Sequence, residues 1–214
     1  MHRIYLVDDH PLMRQGLALT INTHPDFEVV GQAASAEEAL DNLADANPDV
    51  AILDISLPGM SGLELAKHIN AMNTKMPVLV VSRHDEALYA ERVIRAGARG
   101  YVMKMEAGDV IIEALQKVLA GGVYVSEEIH NRLLMGMLSG RKPGILSPLD
   151  ELSDRELEVF ELTGQGHNTR IIAERLHLSV KTVESYRSRI KEKLNLSTAT
   201  ELMQRAVQYV EKQK

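Results

Sequence analysis

Residues 50–62 read Val50-Ala51-Ile52-Leu53-Asp54-Ile55-Ser56-Leu57-Pro58-Gly59-Met60-Ser61-Gly62. Four uninterrupted apolar residues end on a single carboxylate, and after a Pro-Gly turn an amphipathic stretch begins. A strand with so little alternation is covered on both faces, as in a parallel sheet whose crossovers are helices. The same alternation extends in both directions through the first 120 residues. It predicts strands at Ile4–Val7, Glu28–Gly31, Val50–Leu53, Val78–Val81 and Gly100–Met103. Helices are expected between them near Pro11–Asn22, Ala36–Ala46, Gly62–Met72, Glu86–Ala96 and Gly108–Ala120. This is the pattern of a doubly wound α/β domain with a five-stranded parallel sheet.

After Gly121-Gly122 the pattern stops. Ser126–Leu138 reads as a short amphipathic helix, and the run SGRKPGILSPLD marks an interdomain linker. Beyond it, helix-capping residues delimit an all-α four-helix segment. Ser153 with Glu156 and Thr198 with Glu201 form capping boxes that open the first and last helices. Asn168 and Ser179 cap the two between, which run to about Leu176 and Leu194. The expected organisation is 1–121, a linker with a short helix over 122–150, and a second domain at 151–214.

With 214 residues the chain suits two compact domains. No apolar run approaches the ~20 residues that span a bilayer, so no membrane insertion is expected. The start MHRIYLVDD passes straight into a strand, without the zones of a signal peptide, which points to the cytoplasm. Zero cysteines exclude disulfides and thiolate catalysis. The net charge of −6 is uneven: residues 1–120 carry 10 Lys+Arg against 17 Asp+Glu, whereas residues 149–214 balance at 11 each. Within that neutral segment, residues 179–193 hold five basic and two acidic side chains, a local basic element suited to nucleic acid.

In an open parallel sheet the functional crevice lies at the carboxyl ends of the strands. Asp8 and Asp9 close the first strand, Asp54 the third, Ser82 the fourth and Lys104 the fifth. Three converging carboxylates repel one another unless a cation joins them, and hard oxygen donors suit Mg²⁺. Lys104 and the Ser82 hydroxyl could then bind the oxygens of an incoming phosphoryl group.

The segments Val7-Asp8-Asp9-His10-Pro11, Leu53 to Gly62, Val81-Ser82 and Gly100-Tyr101-Val102-Met103-Lys104 resemble the flavodoxin-like receiver domain of two-component systems over about residues 1–120. The resemblance implies that Asp54 is the phosphoacceptor, served by a histidine kinase or a small phosphodonor. It further implies that Asp8, Asp9, Asp54 and the Ser56 main-chain carbonyl hold Mg²⁺, that Lys104 pairs with the acyl phosphate, and that Ser82 and Tyr101 form the switch pair. Arg83 and Met105 depart from the small residue and the proline common after the switch residue and the lysine. Ser56 also stands where haloacid-dehalogenase-like phosphohydrolases carry a second Asp, which weighs against that enzyme class.

In the second domain, Leu152-Ser153-Asp154-Arg155-Glu156-Leu157, Gly166-His167-Asn168, Ile171-Ile172-Ala173, Leu178-Ser179-Val180-Lys181-Thr182-Val183-Glu184 and Lys193-Leu194-Asn195-Leu196 resemble the LuxR/NarL/FixJ output domain. The resemblance implies a helix-turn-helix that binds double-stranded DNA with paired half-sites, and a homodimer when phosphorylated or DNA-bound. By that correspondence Glu184, Ser185 and Ser188 read bases, while Lys181, Thr182, Arg187, Arg189 and Lys191 contact phosphates. Glu184 and Tyr186 depart from a frequent lysine and histidine. Helical spacing puts Ile171, Ile172, Leu176, Val183, Ile190 and Leu194 on buried faces. The last helix serves either core packing or dimerisation, since both use its apolar face. The eight histidines are scattered, with His10 read as a helix-entry residue, and the ten methionines are expected to fill core gaps.

Overall fold

The computed structural model describes residues 1–72, 75–138 and 148–211, which form two compact units dividing near residue 139. In the first unit five strands, β1 (His2–Val7), β2 (Phe27–Ala33), β3 (Val50–Leu53), β4 (Val78–Ser82) and β5 (Gly100–Met103), build one sheet in the order β2-β1-β3-β4-β5. Every pairing is parallel. Order reverses at β1 and β3, so the crevice opens beside their carboxyl ends.

The helices are α1 (Pro11–Asn22), α2 (Ala36–Ala46), α3 (Gly62–Ala71), α4 (Glu86–Arg95) and α5 (Ala107–Leu119). Side chains alternate across the strands. Ile4, Leu6, Ile52, Leu79, Val81 and Val102 join Leu17 and Ile21 of α1 and Ile111 and Leu115 of α5 in one apolar layer. Tyr5, Val7, Leu53, Val80 and Tyr101, also buried, alternate with them. The expected methionine filling is not found: no described methionine side chain belongs to the buried core, Met13 packs at its edge, and Met1, Met72, Met105, Met135 and Met203 are exposed. Branched and leucine side chains already fill both faces of the short strands.

A sixth helix, α6 (Glu127–Leu138), belongs to this unit. The chain before it is held to the β5 edge of the sheet by its backbone: Tyr101 N–H donates to Tyr124 O at 2.8 Å and Tyr124 N–H to Arg99 O at 2.9 Å. Ser126 N–H donates to Glu86 Oε1 at 2.8 Å, and Arg132 Nη2 to Ala87 O at 2.8 Å. Most of the predicted linker run, residues 139–147, lies outside the described residues.

The second unit is helical: a 3₁₀ turn at Pro148–Glu151, then α7 (Asp154–Gly164), α8 (Thr169–Arg175), α9 (Val180–Lys193) and α10 (Ala199–Glu211). The capping residues act as their positions predict. Ser153 and Glu156 close a full capping box, Asn168 Oδ1 accepts from Ile171 N–H at 3.0 Å, Ser179 Oγ from Thr182 N–H at 3.0 Å, and Thr198 Oγ1 from Glu201 N–H at 3.1 Å. Phe160 of α7 is fully buried, with its ring 5.6 Å from that of Tyr209 on α10. Gly164 lets the α10 backbone at Ala206 approach closely, because an added Cβ would strike the Ala206 carbonyl.

Candidate phosphoacceptor site and nucleic-acid interface

The acidic site is assembled by ends of strands. Asp54 N–H donates to Val7 O at 2.8 Å, which continues the β1–β3 ladder one residue past β3 and brings the Asp54 side chain beside Asp8. The loop that follows folds back tightly: Gly62 N–H donates to Ile55 O at 2.8 Å, and a Cβ on Gly62 would run into the Asp54 carbonyl. Only glycine permits that approach. Ser61 caps α3 behind it, in a capping box with Glu64.

Asp8 and Asp54 are buried, and Lys104 lies between them, its Nζ 2.6 Å from Asp8 Oδ2 and 2.7 Å from Asp54 Oδ2. Asp9 is half-buried beside them. His10 is the helix-entry residue expected, at the N-cap of α1, and it also joins the carboxylate cluster, which the reading of scattered histidines did not anticipate. Its Nδ1 lies 2.5 Å from Asp9 Oδ1, 3.2 Å from Asp8 Oδ1 and 4.0 Å from Asp54 Oδ2. One donor atom from each of Asp8, Asp9, His10 and Asp54 falls within 4.8 Å of the others, so these residues could hold a metal ion. Three carboxylates against one ammonium leave a formal charge of about −2 when His10 is neutral, at separations where like charges repel by about 4 kcal/mol per pair at an intermediate dielectric. An oxygen-rich site with that deficit fits a divalent hard cation.

Around this centre, Ser82 ends β4 fully buried, and its Oγ accepts from His84 N–H at 3.3 Å. Tyr101 is buried within β5 and its hydroxyl donates to His84 O at 2.6 Å. Ser56 Oγ and His84 Nε2 share a hydrogen bond of 2.8 Å. Sequence reading passed over His84 as well as His10. The signal available was position: each follows a strand's polar terminus by one or two residues, at the rim where the crevice lies.

In the second unit, α8 and α9 are joined by a tight turn with His177 at φ 53°, in the left-handed region. Val183 and Ile190 are fully buried and turn the opposite face of α9 outward. Lys181, Glu184, Ser185, Ser188 and Arg189 are exposed there, with Thr182, Arg187 and Lys191 half-buried at its flanks. Thr182 Oγ1 is hydrogen-bonded to Ser179 Oγ at 2.7 Å within the α9 cap, and Arg187 Nη1 donates to Thr169 Oγ1 at 2.9 Å, so Arg187 also braces α9 against α8. Arg189 lies over the Tyr186 ring.

Two packing expectations are corrected. Ile171 is exposed while Ile172 beside it takes the buried face of α8, and Leu194 is only half-buried at the end of its helix. The basic tally of α9 also shrinks. Lys193 Nζ donates to the buried Glu156 Oε2 of α7 at 2.6 Å and so serves the core. Burial alone would raise the Glu156 pKa, but the hydrogen bonds from Lys193 and Ser153 and the Lys193 charge outweigh it and hold the carboxyl below its ordinary value.

A five-stranded parallel-sheet domain with an acidic crevice, followed by a helical unit containing a helix-turn-helix, is the pairing of a receiver-like domain with a nucleic-acid-binding module. Residues 4–116 match the response regulator receiver domain family, and residues 150–206 the luxR family of bacterial regulatory proteins. The chain is 37% identical over 205 residues to the transcriptional activator protein ExaE of Pseudomonas putida, covering 96% of this chain and 95% of that one. A LuxR-family two-component response regulator from Aurantimonas is similar in structure, with a TM-score of 0.59 and 33% identity over 64% of this chain and 99% of that one. The RcsB response regulator of Salmonella typhimurium is similar with a TM-score of 0.66 and 25% identity, over 97% of each chain. The chain belongs to the DNA-binding response regulators of two-component systems, with a receiver domain and a luxR-family output domain.

Proposed function

We propose that Asp54 is the phosphoacceptor and that its phosphorylation controls DNA binding by α9. The observation that carries this reading is the placement of the Asp54 carboxylate, buried at a strand end and 2.7 Å from the Lys104 ammonium. An Asp54 oxygen attacks phosphorus in a phosphohistidine of a sensor kinase or in a small acyl phosphate. The new P–O bond forms as the donor's P–N or P–O bond breaks, and the donor leaves with the electron pair. Lys104 Nζ moves with the charge onto the phosphoryl oxygens, and the Ser82 hydroxyl turns to a further oxygen. Asp8, Asp9, Asp54 and the Ser56 main-chain carbonyl would hold Mg²⁺, which would supply the positive charge that screens a phosphoryl group from the carboxylates. The chain catalyses only its own phosphorylation and dephosphorylation.

Residues 1–121 form the receiver in this reading, 122–150 connect, and 151–214 bind DNA as a homodimer on paired half-sites. Glu184, Ser185 and Ser188 face base edges, and Lys181, Thr182, Arg187, Arg189 and Lys191 face phosphates. The protein works in the cytoplasm, where its DNA and phosphodonor lie; no described helix is long and apolar enough to cross a membrane. Phosphorylation acts by shifting a population of arrangements toward the DNA-binding one. Operator affinity measured at fixed salt with and without beryllofluoride tests the proposal. Tighter binding with beryllofluoride is expected, and equal affinities would remove phosphorylation from the mechanism.

A further inference from the structure

His84 joins four elements around the Asp54 site. Its side chain bonds the Ser56 hydroxyl at 2.8 Å, two residues beyond Asp54, and its ring packs on the buried Tyr89 of α4 with centroids 4.4 Å apart. Its N–H reaches Ser82 Oγ at 3.3 Å, and its carbonyl accepts from the Tyr101 hydroxyl at 2.6 Å. The hydroxyls of Ser82 and Tyr101 are thus both held by the backbone of one residue, and that residue is anchored through its imidazole to the loop carrying Asp54.

We infer that the Ser56–His84 hydrogen bond is a latch that holds the phosphoryl-free arrangement of this site and resists its activation. The inference rests on the reading of Asp54 as phosphoacceptor. For Ser82 Oγ to reach a phosphoryl oxygen on Asp54 it must leave the His84 N–H. The Tyr101 hydroxyl can turn only by leaving the His84 carbonyl. Both moves break a hydrogen bond to the His84 backbone, and the bond to Ser56 holds that backbone beside the loop that carries Asp54. A bond present in one arrangement and broken in the other biases the equilibrium toward the first by its own net strength. His84 is a positioning residue in this account, acting through Ser82 and Tyr101.

Ser56→Ala deletes the hydroxyl while leaving the main-chain carbonyl in place, and His84→Ala deletes the other partner. Each is expected to lower the beryllofluoride concentration that half-saturates the Mg²⁺-loaded full chain by about fivefold, the loss of one net neutral hydrogen bond. The double variant should match either single one, since they break the same bond, and His84→Gln, whose amide can donate to or accept from Ser56 Oγ, should bring beryllofluoride binding most of the way back to wild type. Unchanged or weaker beryllofluoride binding in both single variants, or effects that add in the double variant, overturns the latch. Amide hydrogen exchange in the chain without ligand provides a reading that needs no phosphoacceptor: the variants should speed exchange at His84 and in the Ser56 loop by about fivefold, and unchanged exchange overturns the latch equally. A wild-type chain that takes up no beryllofluoride sinks the Asp54 reading instead, and exchange alone then decides the latch.

Discussion

The two sites handle charge in opposite ways. At Asp54 the polar groups are buried and bound to one another, with Asp8, Asp54 and Lys104 nearly sealed from water. On α9 the polar groups are displayed: Lys181, Glu184, Ser185, Ser188 and Arg189 stand exposed on a helix fixed from behind by Val183 and Ile190. Phosphoryl transfer needs preorganised charge at low dielectric, where each interaction is strong. Groove reading needs side chains that exchange water for base edges and phosphates, and therefore free in solution. On the proposed roles, the contrast explains why one site is made of strand ends and the other of a helix face.

The largest effect that would break this comparison comes from Asp54→Asn. Phosphoryl uptake from acetyl phosphate, followed by intact-mass measurement, is expected to vanish, and DNA affinity should lose its response to phosphodonor. A variant that still gains one phosphate would show that another group is the acceptor. Phe160→Ala follows: emptying a fully buried ring in α7 should cost about 3–5 kcal/mol in urea unfolding of the second unit while leaving phosphoryl uptake intact.

Next come two changes of about 1–3 kcal/mol that sharpen the contrast. Gly62→Ala sets a methyl against the Asp54 carbonyl and should destabilise the first unit by that amount, seen in thermal unfolding, and slow phosphorylation with it. Glu184→Ala should change affinity by that amount at one base position only, whereas Lys181→Ala should weaken all sequences alike and reduce the salt slope by about one. Binding-site selection and salt titration separate the two outcomes.

The smallest effect concerns the Glu156–Lys193 pair, whose ammonium is partly exposed. The folded carboxyl has a lowered pKa. Its stabilising contribution is therefore present above the ordinary carboxylate pKa and disappears as pH falls through the folded value. The stability difference between the wild type and Glu156→Gln should shrink on acidification across that window and stay flat from pH 6 upward. A difference that grows toward acid would reverse the assigned sign.

Much of this was legible in the chain itself. Uninterrupted apolar runs such as Val50–Leu53 announced a sheet covered on both faces, and the polar residues closing them announced the crevice. Ser153, Asn168, Ser179 and Thr198 marked the helix starts because a cap acts on backbone groups two or three residues away. The failures share a cause. His84, Lys193 and Ile171 were judged by neighbours in sequence, and each is defined by a partner, or the lack of cover, from another element. His84 meets Ser56 across 28 residues, and Lys193 meets Glu156 across 37.

By itself the sequence determined what is periodic or local: two units, the type of each element, the caps, and the residues that end each strand. Tertiary structure decided which of those ends share a crevice, that Lys104 bridges Asp8 and Asp54, and that His84 links Ser56 to the anchors of Ser82 and Tyr101. The reason is range. Burial patterns and caps act over a few residues, whereas charge pairing and hydrogen bonding between elements depend on strand order and register, which no single segment encodes.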